Sequence, residues 1–67
     1  DIFRINKGPG RDLITDYDSD ADSVELLGGL TESDLTFKYL GGDTRIKYGN
    51  DLIAIVQNTI AEDITFI

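Results

Sequence analysis

The sequence predicts an all-β fold, with short solenoid-like turns in its first third and an antiparallel meander that caps them. Three observations predict it. Seven short apolar runs, each opened by an aspartate, follow one another at spacings of 8 to 12 residues. They are rich in Ile, Leu, Val, Phe, Tyr and Thr and bounded by Gly, Asn or Asp, as strands are. The side-chain alternation then slips by one residue partway along the chain, and such a slip moves every side chain to the opposite face of a strand.

The runs are DIFRI (1–5), DLIT (12–15), DSVELL (22–27), DLTFKYL (34–40), DTRIKYG (43–49), DLIAIV (51–56) and DITFI (63–67). In the first three, the apolar side chains share the face of the opening Asp: Phe3 with Ile5, Ile14, and Val24 with Leu26. Arg4, Thr15 and Glu25 point the other way. In three later runs the apolar frame is Leu35, Phe37 and Tyr39; Ile46 and Tyr48; Ile64 and Phe66. Lys38, Arg45 and Lys47 then face outward. DLIAIV is apolar on both faces, which suits a central, doubly covered strand.

The connections agree. Gly41-Gly42 and Gly49-Asn50 are two-residue links of the kind that tight hairpins need. They join the runs at 35–40, 43–48 and 51–56 into an antiparallel meander. Thr31-Glu32-Ser33-Asp34 and Thr59-Ile60-Ala61-Glu62 each place an acid three residues after Thr, the pattern of a capped helical turn. Each leads into a related run, Asp34-Leu35-Thr36-Phe37 and Asp63-Ile64-Thr65-Phe66. This is an internal echo 29 residues apart, open to reading as a repeated unit or as a product of β-like composition.

Composition narrows the chemistry. The chain has 67 residues, 13 acidic against 6 basic, a net charge of −7, no Cys and no His. One domain, 1–67, is the most that such a length supports. Without Cys or His, any metal must be a hard cation held by oxygens. The negative charge argues against nucleic acid, whose phosphates are bound by Lys and Arg. No run is long enough for a membrane span. The start at Asp1 rather than Met suggests a piece of a longer chain.

Two motifs bear on function. Residues 7–15, KGPGRDLIT, nearly match the calcium-binding nonapeptide G-G-x-G-x-D-x-U-x of parallel β-rolls. Gly8, Gly10, Asp12 and Ile14 fall in place, while Lys7 replaces the first glycine. The glycines let carbonyl oxygens converge, the Asp adds a carboxylate, and the apolar residue plugs the core. Calcium takes 6–8 oxygens, so one such turn needs a neighbour to complete the shell. The nearest candidates are Asp18, Asp20 and Asp22 in the alternating run from Asp16 to Asp22. The plainer reading is a Gly-Pro-Gly turn whose Asp opens a strand. The run itself fails as an EF-hand. Counted from Asp16, the positions for Gly and Glu hold Ala21 and Leu27; counted from Asp18, they hold Ser23 and Gly29. A catalytic carboxylate pair is disfavoured, because so small a chain builds no enclosed cleft to tune it. Outward Arg4, Arg45 and Lys47 would meet a polyanion only if their strands are neighbours. Otherwise they keep sheet faces soluble.

Taken together, these residues resemble the C-terminal segment of RTX, or haemolysin-type calcium-binding, proteins of bacteria. The resemblance rests on Asp1-x-Phe3, Gly8-x-Gly10-x-Asp12-x-Ile14-x-Asp16-Tyr17, Asp22-x-Val24-x-Leu26, Gly29-Leu30-Thr31-x-x-Asp34-Leu35, Asp43-Thr44-x-Ile46 and Leu52-Ile53-Ala54. The end, Asp63 followed by Ile64-Thr65-Phe66-Ile67, is similar to the acid-plus-hydrophobic tail of type I secretion substrates. The resemblance implies a segment that closes a parallel β-roll, 1–27 forming roll-like turns and 34–67 capping strands. It implies calcium as the ion, with Gly8, Gly10 and Asp12 as ligands. Asp18, Asp20 and Asp22 are added by proximity. It also implies a secreted, extracellular bacterial parent, the type I secretion machinery and a preceding β-roll as partners, and no enzymatic activity in this segment. The alternative is a β-sheet binding module, for carbohydrate through an outward aromatic such as Tyr17, or for a second copy of itself as a homodimer.

Overall fold

The computed structural model describes residues 1–6 and 11–67. Six strands form: β1 (Ile2–Ile5), β2 (Asp12–Ile14), β3 (Ser23–Leu26), β4 (Leu35–Leu40), β5 (Asp43–Tyr48) and β6 (Asp51–Val56). They make two open sheets; the all-β class holds, but the described residues of 1–27 do not form the roll-like or solenoid turns expected of them. β1 and β3 pair in parallel, Phe3 opposite Val24 and Ile5 opposite Leu26. The second sheet runs β2-β6-β5-β4. Its last three strands are the expected antiparallel meander, and β2 joins β6 in parallel, Ile14 opposite Val56.

The hairpin chemistry explains the meander. Gly41 and Gly42 both hold left-handed φ, +59° and +87°, the conformation of a type I′ turn whose twist matches the flanking strands. At the next turn only Gly49 takes positive φ (+60°), and Tyr48 pairs with Asp51. β6 lies between β2 and β5, as its two apolar faces predict. The β5–β6 register shifts at Ile46/Lys47. This bulge leaves Ile53 without a partner in the ladder, and Ile53 and Ala54 are consecutive yet both buried.

The core joins the two sheets through Ile5, Ile14, Val24, Leu30, Ile46, Ile53, Ala54, Val56 and Ile64. The slip of the apolar frame is visible here. Ile5, Ile14 and Val24 share the side of the Asp that opens each run, whereas Ile46 lies opposite in parity to Asp43. Tyr39 departs from expectation. It falls in the apolar frame of β4 but is 55% exposed, because β4 is the edge of its sheet.

The C-terminal run is the main correction. DITFI was expected as a strand over 63–67, but residues Ala61–Asp63 form a 3₁₀ turn. The Asp63 N–H bonds the Ile60 carbonyl and the Ile64 N–H bonds that of Ala61, so only the last residues are free to pair. They do so as one parallel bridge between Phe66 and Val24. The turn expected at Thr59 also starts later, with Ile60 at its N-cap position, because the Thr59 hydroxyl donates to the Gln57 carbonyl. The turn at Thr31 forms as predicted: Asp34 Oδ2 accepts from the Thr31 N–H at 3.1 Å and from its hydroxyl at 3.0 Å. The internal echo therefore holds locally, since both copies follow a 3₁₀ turn. Its two phenylalanines pack on each other, Phe37 and Phe66 at 5.7 Å, but one sits in a six-residue strand and the other at a single bridge.

Candidate functional site

The aspartates of residues 16–22 form a tight turn that leads into β3. The Asp22 N–H bonds the Asp18 carbonyl at 2.7 Å and the Ala21 N–H bonds the same oxygen at 3.1 Å. Asp18 Oδ1 accepts the Asp20 N–H at 2.9 Å, the local bonding that makes Asp common in turns. Asp22 shares the inward parity of Val24 and is only 8% exposed. Both of its oxygens are engaged: Oδ1 by the Asp1 nitrogen at 2.7 Å, Oδ2 by the Asp18 N–H at 2.8 Å. These two donors, the Asp1 nitrogen first, hold its carboxyl below the usual carboxylate range. As the residue that leads into β3, Asp22 faces inward with Val24 and ties the start of β1 to the turn.

Tyr17 carries a role that the sequence reading missed. Its ring packs on Phe3 at 6.1 Å. Its hydroxyl donates to the Asp22 carbonyl and accepts the Thr65 N–H, each at 3.0 Å. One side chain therefore joins β1, the acidic turn and the C-terminal segment. That use removes Tyr17 as an outward platform for a glycan. A half-apolar ring with a polar tip, placed inside an acidic loop, is the kind of signal that could have pointed to a clasp.

Of the six residues proposed as calcium ligands, Gly8 and Gly10 lie outside the described residues. Asp18, Asp20 and Asp22 are brought together in the turn, and Asp12 stands at the start of β2, exposed. Among the described residues, no group of three or more acidic side chains is gathered so as to hold a metal ion. The fit is therefore uneven. Asp22 is committed to protein donors, Asp18 in part, and Asp12 remains open.

Asp12 borders the most distinctive surface of the molecule. Among the described residues, β1 pairs only with β3 and β2 only with β6, so each has one edge that no described strand covers. A cleft of about 250 Å³ lies between them, lined by Phe3, Arg4, Ile5, Asp12, Leu13 and Ile14. Leu13 is 57% exposed there. Both edges belong to strands that pair in parallel with the rest of the protein.

The basic residues do not form one patch. Arg4 lies on the β1–β3 sheet, where its Nε bonds Glu25 at 2.8 Å, while Arg45 and Lys47 lie on β5 of the other sheet. Among the described residues, no helix is long and apolar enough to cross a membrane. No known protein family, curated protein sequence or solved structure matches the chain.

Proposed function

We propose that this chain is a non-enzymatic capping module, the terminal piece of an RTX-type β-roll in a secreted bacterial protein. One observation carries the reading: the edges of β1 and β2 that no described strand covers flank a common cleft, whose lining joins apolar Phe3, Ile5, Leu13 and Ile14 with charged Arg4 and Asp12. A preceding roll turn has two strands to pair and one apolar residue to bury. The two edges would take the strands in parallel, and the cleft would take the apolar residue. The meander would then close the far side, so that the roll ends in antiparallel strands instead of another open turn.

Calcium belongs to this proposal in a shared form. Asp12, with the carbonyls of Gly8 and Gly10 that the resemblance implies, supplies part of a shell, and the preceding turn supplies the rest. The ion would contribute charge neutralisation to a chain of net charge −7 and would favour the folded state by mass action. Asp18 and Asp20 serve as turn formers. Export through the type I secretion machinery, with residues 63–67 as part of the signal, follows from the same reading.

The test is a fusion. An array of consensus nonapeptide turns is joined to residue 1 and compared with the array alone by circular dichroism and sedimentation during calcium titration. The fused array should fold at lower calcium, more cooperatively, and stay monodisperse where the bare array associates. Asp12→Ala should raise the calcium needed. Equal calcium midpoints for capped and bare arrays would overturn the proposal.

A further inference from the structure

We propose that two copies of this chain associate through the free edge of β4, pairing antiparallel about a two-fold axis at Phe37. This uses the edge opposite the cleft of β1 and β2 and stands independently of the capping role.

The two-residue Gly41-Gly42 turn makes Leu40 and Asp43 the closing pair of the hairpin, which in such turns is hydrogen-bonded. Alternation along an antiparallel ladder then directs the backbone groups of Lys38 and Thr36 toward β5. Those of Leu35, Phe37 and Tyr39 face the open side. A six-residue edge with three unpaired N–H and C=O sets is a template for another strand. β4 has few of the usual guards. It holds no proline, and Lys38 is its one charge. The bulge lies instead between β5 and β6. Beside the edge, Tyr39 is 55% exposed, Leu40 45% and Ile60 39%. Phe37, Tyr39, Thr44, Ile60, Ala61 and Glu62 line a groove of about 480 Å³, which side chains from an added strand would cover.

A second copy satisfies this edge in one register. With Phe37 opposite the partner's Phe37, Leu35 meets the partner's Tyr39 and Thr36 meets the partner's Lys38. Every exposed backbone group of the edge is then paired, the β4 side chains on the groove side are Leu35, Phe37 and Tyr39, and no like charges oppose one another. Sliding one pair toward the C-terminus sets Lys38 against the partner's Lys38, which is unfavourable. Sliding the other way sets Lys38 against the partner's Asp34, whose carboxylate already caps the Thr31 turn and which lies outside the strand.

Analytical ultracentrifugation over a concentration series tests this with Thr36→Glu and Thr36→Lys. Thr36 is exposed, and circular dichroism checks that both variants fold. In the proposed dimer, position 36 meets Lys38 twice. Glutamate should tighten association and lysine weaken it, each by up to about tenfold for two cross-strand charge pairs. A wild type that stays monomeric throughout would overturn the proposal. So would a Glu variant that associates as weakly as the Lys variant, because position 36 would then face itself. Association that neither variant changes would overturn it as well, by placing the contact elsewhere.

Discussion

The meander and the parallel third are built from the same residue types, yet they are specified in different ways. β4, β5 and β6 are consecutive, joined by two-residue turns, and each finds its partner next in sequence. β1 and β2 instead pair with strands that arrive later in the chain, β2 with β6 across most of its length. Local hairpins close small loops, while distant parallel pairs must first meet a large loop-closure cost. β6 belongs to both regions. The difference teaches an order of dependence: the meander provides the surface on which β2 is laid, and the β1–β3 sheet packs across the core from it.

This comparison can be broken most strongly at Ile46, fully buried at the centre of the meander. Ile46→Ala should cost about 2–5 kcal/mol, comparable to the whole stability of so short a chain, and denaturant titration should show both regions lost together. Ile14→Ala, the matching change on the three-residue β2, should fall at the lower end of that range, because the adjoining open cleft lets neighbours relax. Native-state amide exchange should be faster in β1 and β2 than in β5 and β6. An Ile14 variant that costs more than the Ile46 variant would invert the order of dependence.

A smaller effect is expected at Thr44, buried on β5 with its hydroxyl donating to the Thr59 carbonyl. Thr44→Val strands that carbonyl and should cost about 1–3 kcal/mol, with exchange rising first in residues 57–63. Gly42→Ala should cost about 1–2 kcal/mol, since its φ of +87° suits glycine and no neighbour crowds the added methyl. The loss should appear as faster exchange across the β4–β5 hairpin.

The smallest expected change concerns pH and the acidic turn. In the 67-residue chain the Asp22 carboxyl is held low first by the charged Asp1 amino group and then by the Asp18 N–H; joining residue 1 to a preceding segment removes the first cause and leaves the second. A folded value below the unfolded one stabilises the protein above the unfolded value, and the contribution is lost as pH falls through the folded value. Asp22→Asn should therefore flatten the acid limb of the stability profile and leave the neutral region to report only the altered hydrogen bonds. Thermal melts across the acidic range would show it; an unchanged limb would mean that the turn is insensitive to this charge.

Much of the fold was legible. DLIAIV became β6 with the expected bounds, 51–56, because a run apolar on both faces has few places to go but the middle of a sheet. The hairpins were legible because Gly41 and Gly42 serve a turn that few other residues tolerate. The fate of 63–67 was not, since its composition suits a strand but the preceding 3₁₀ turn consumes its first residues. At the acidic turn, the pattern marked the aspartates but not their assignment, as inward Asp22 and outward Asp20 look alike in sequence.

By itself, the sequence determined where six of the seven expected strands lie, which face of each is apolar, and how the meander turns, for these depend on period-two alternation and on the φ of a few glycines. Only the tertiary structure decided which strand lies beside β1 and β2, that Tyr17 is a clasp between distant segments, and that β1 and β2 line one cleft. A strand's pattern states which side seeks the core. It does not state which neighbour supplies the other half of its hydrogen bonds, because that choice is made between residues far apart in the chain.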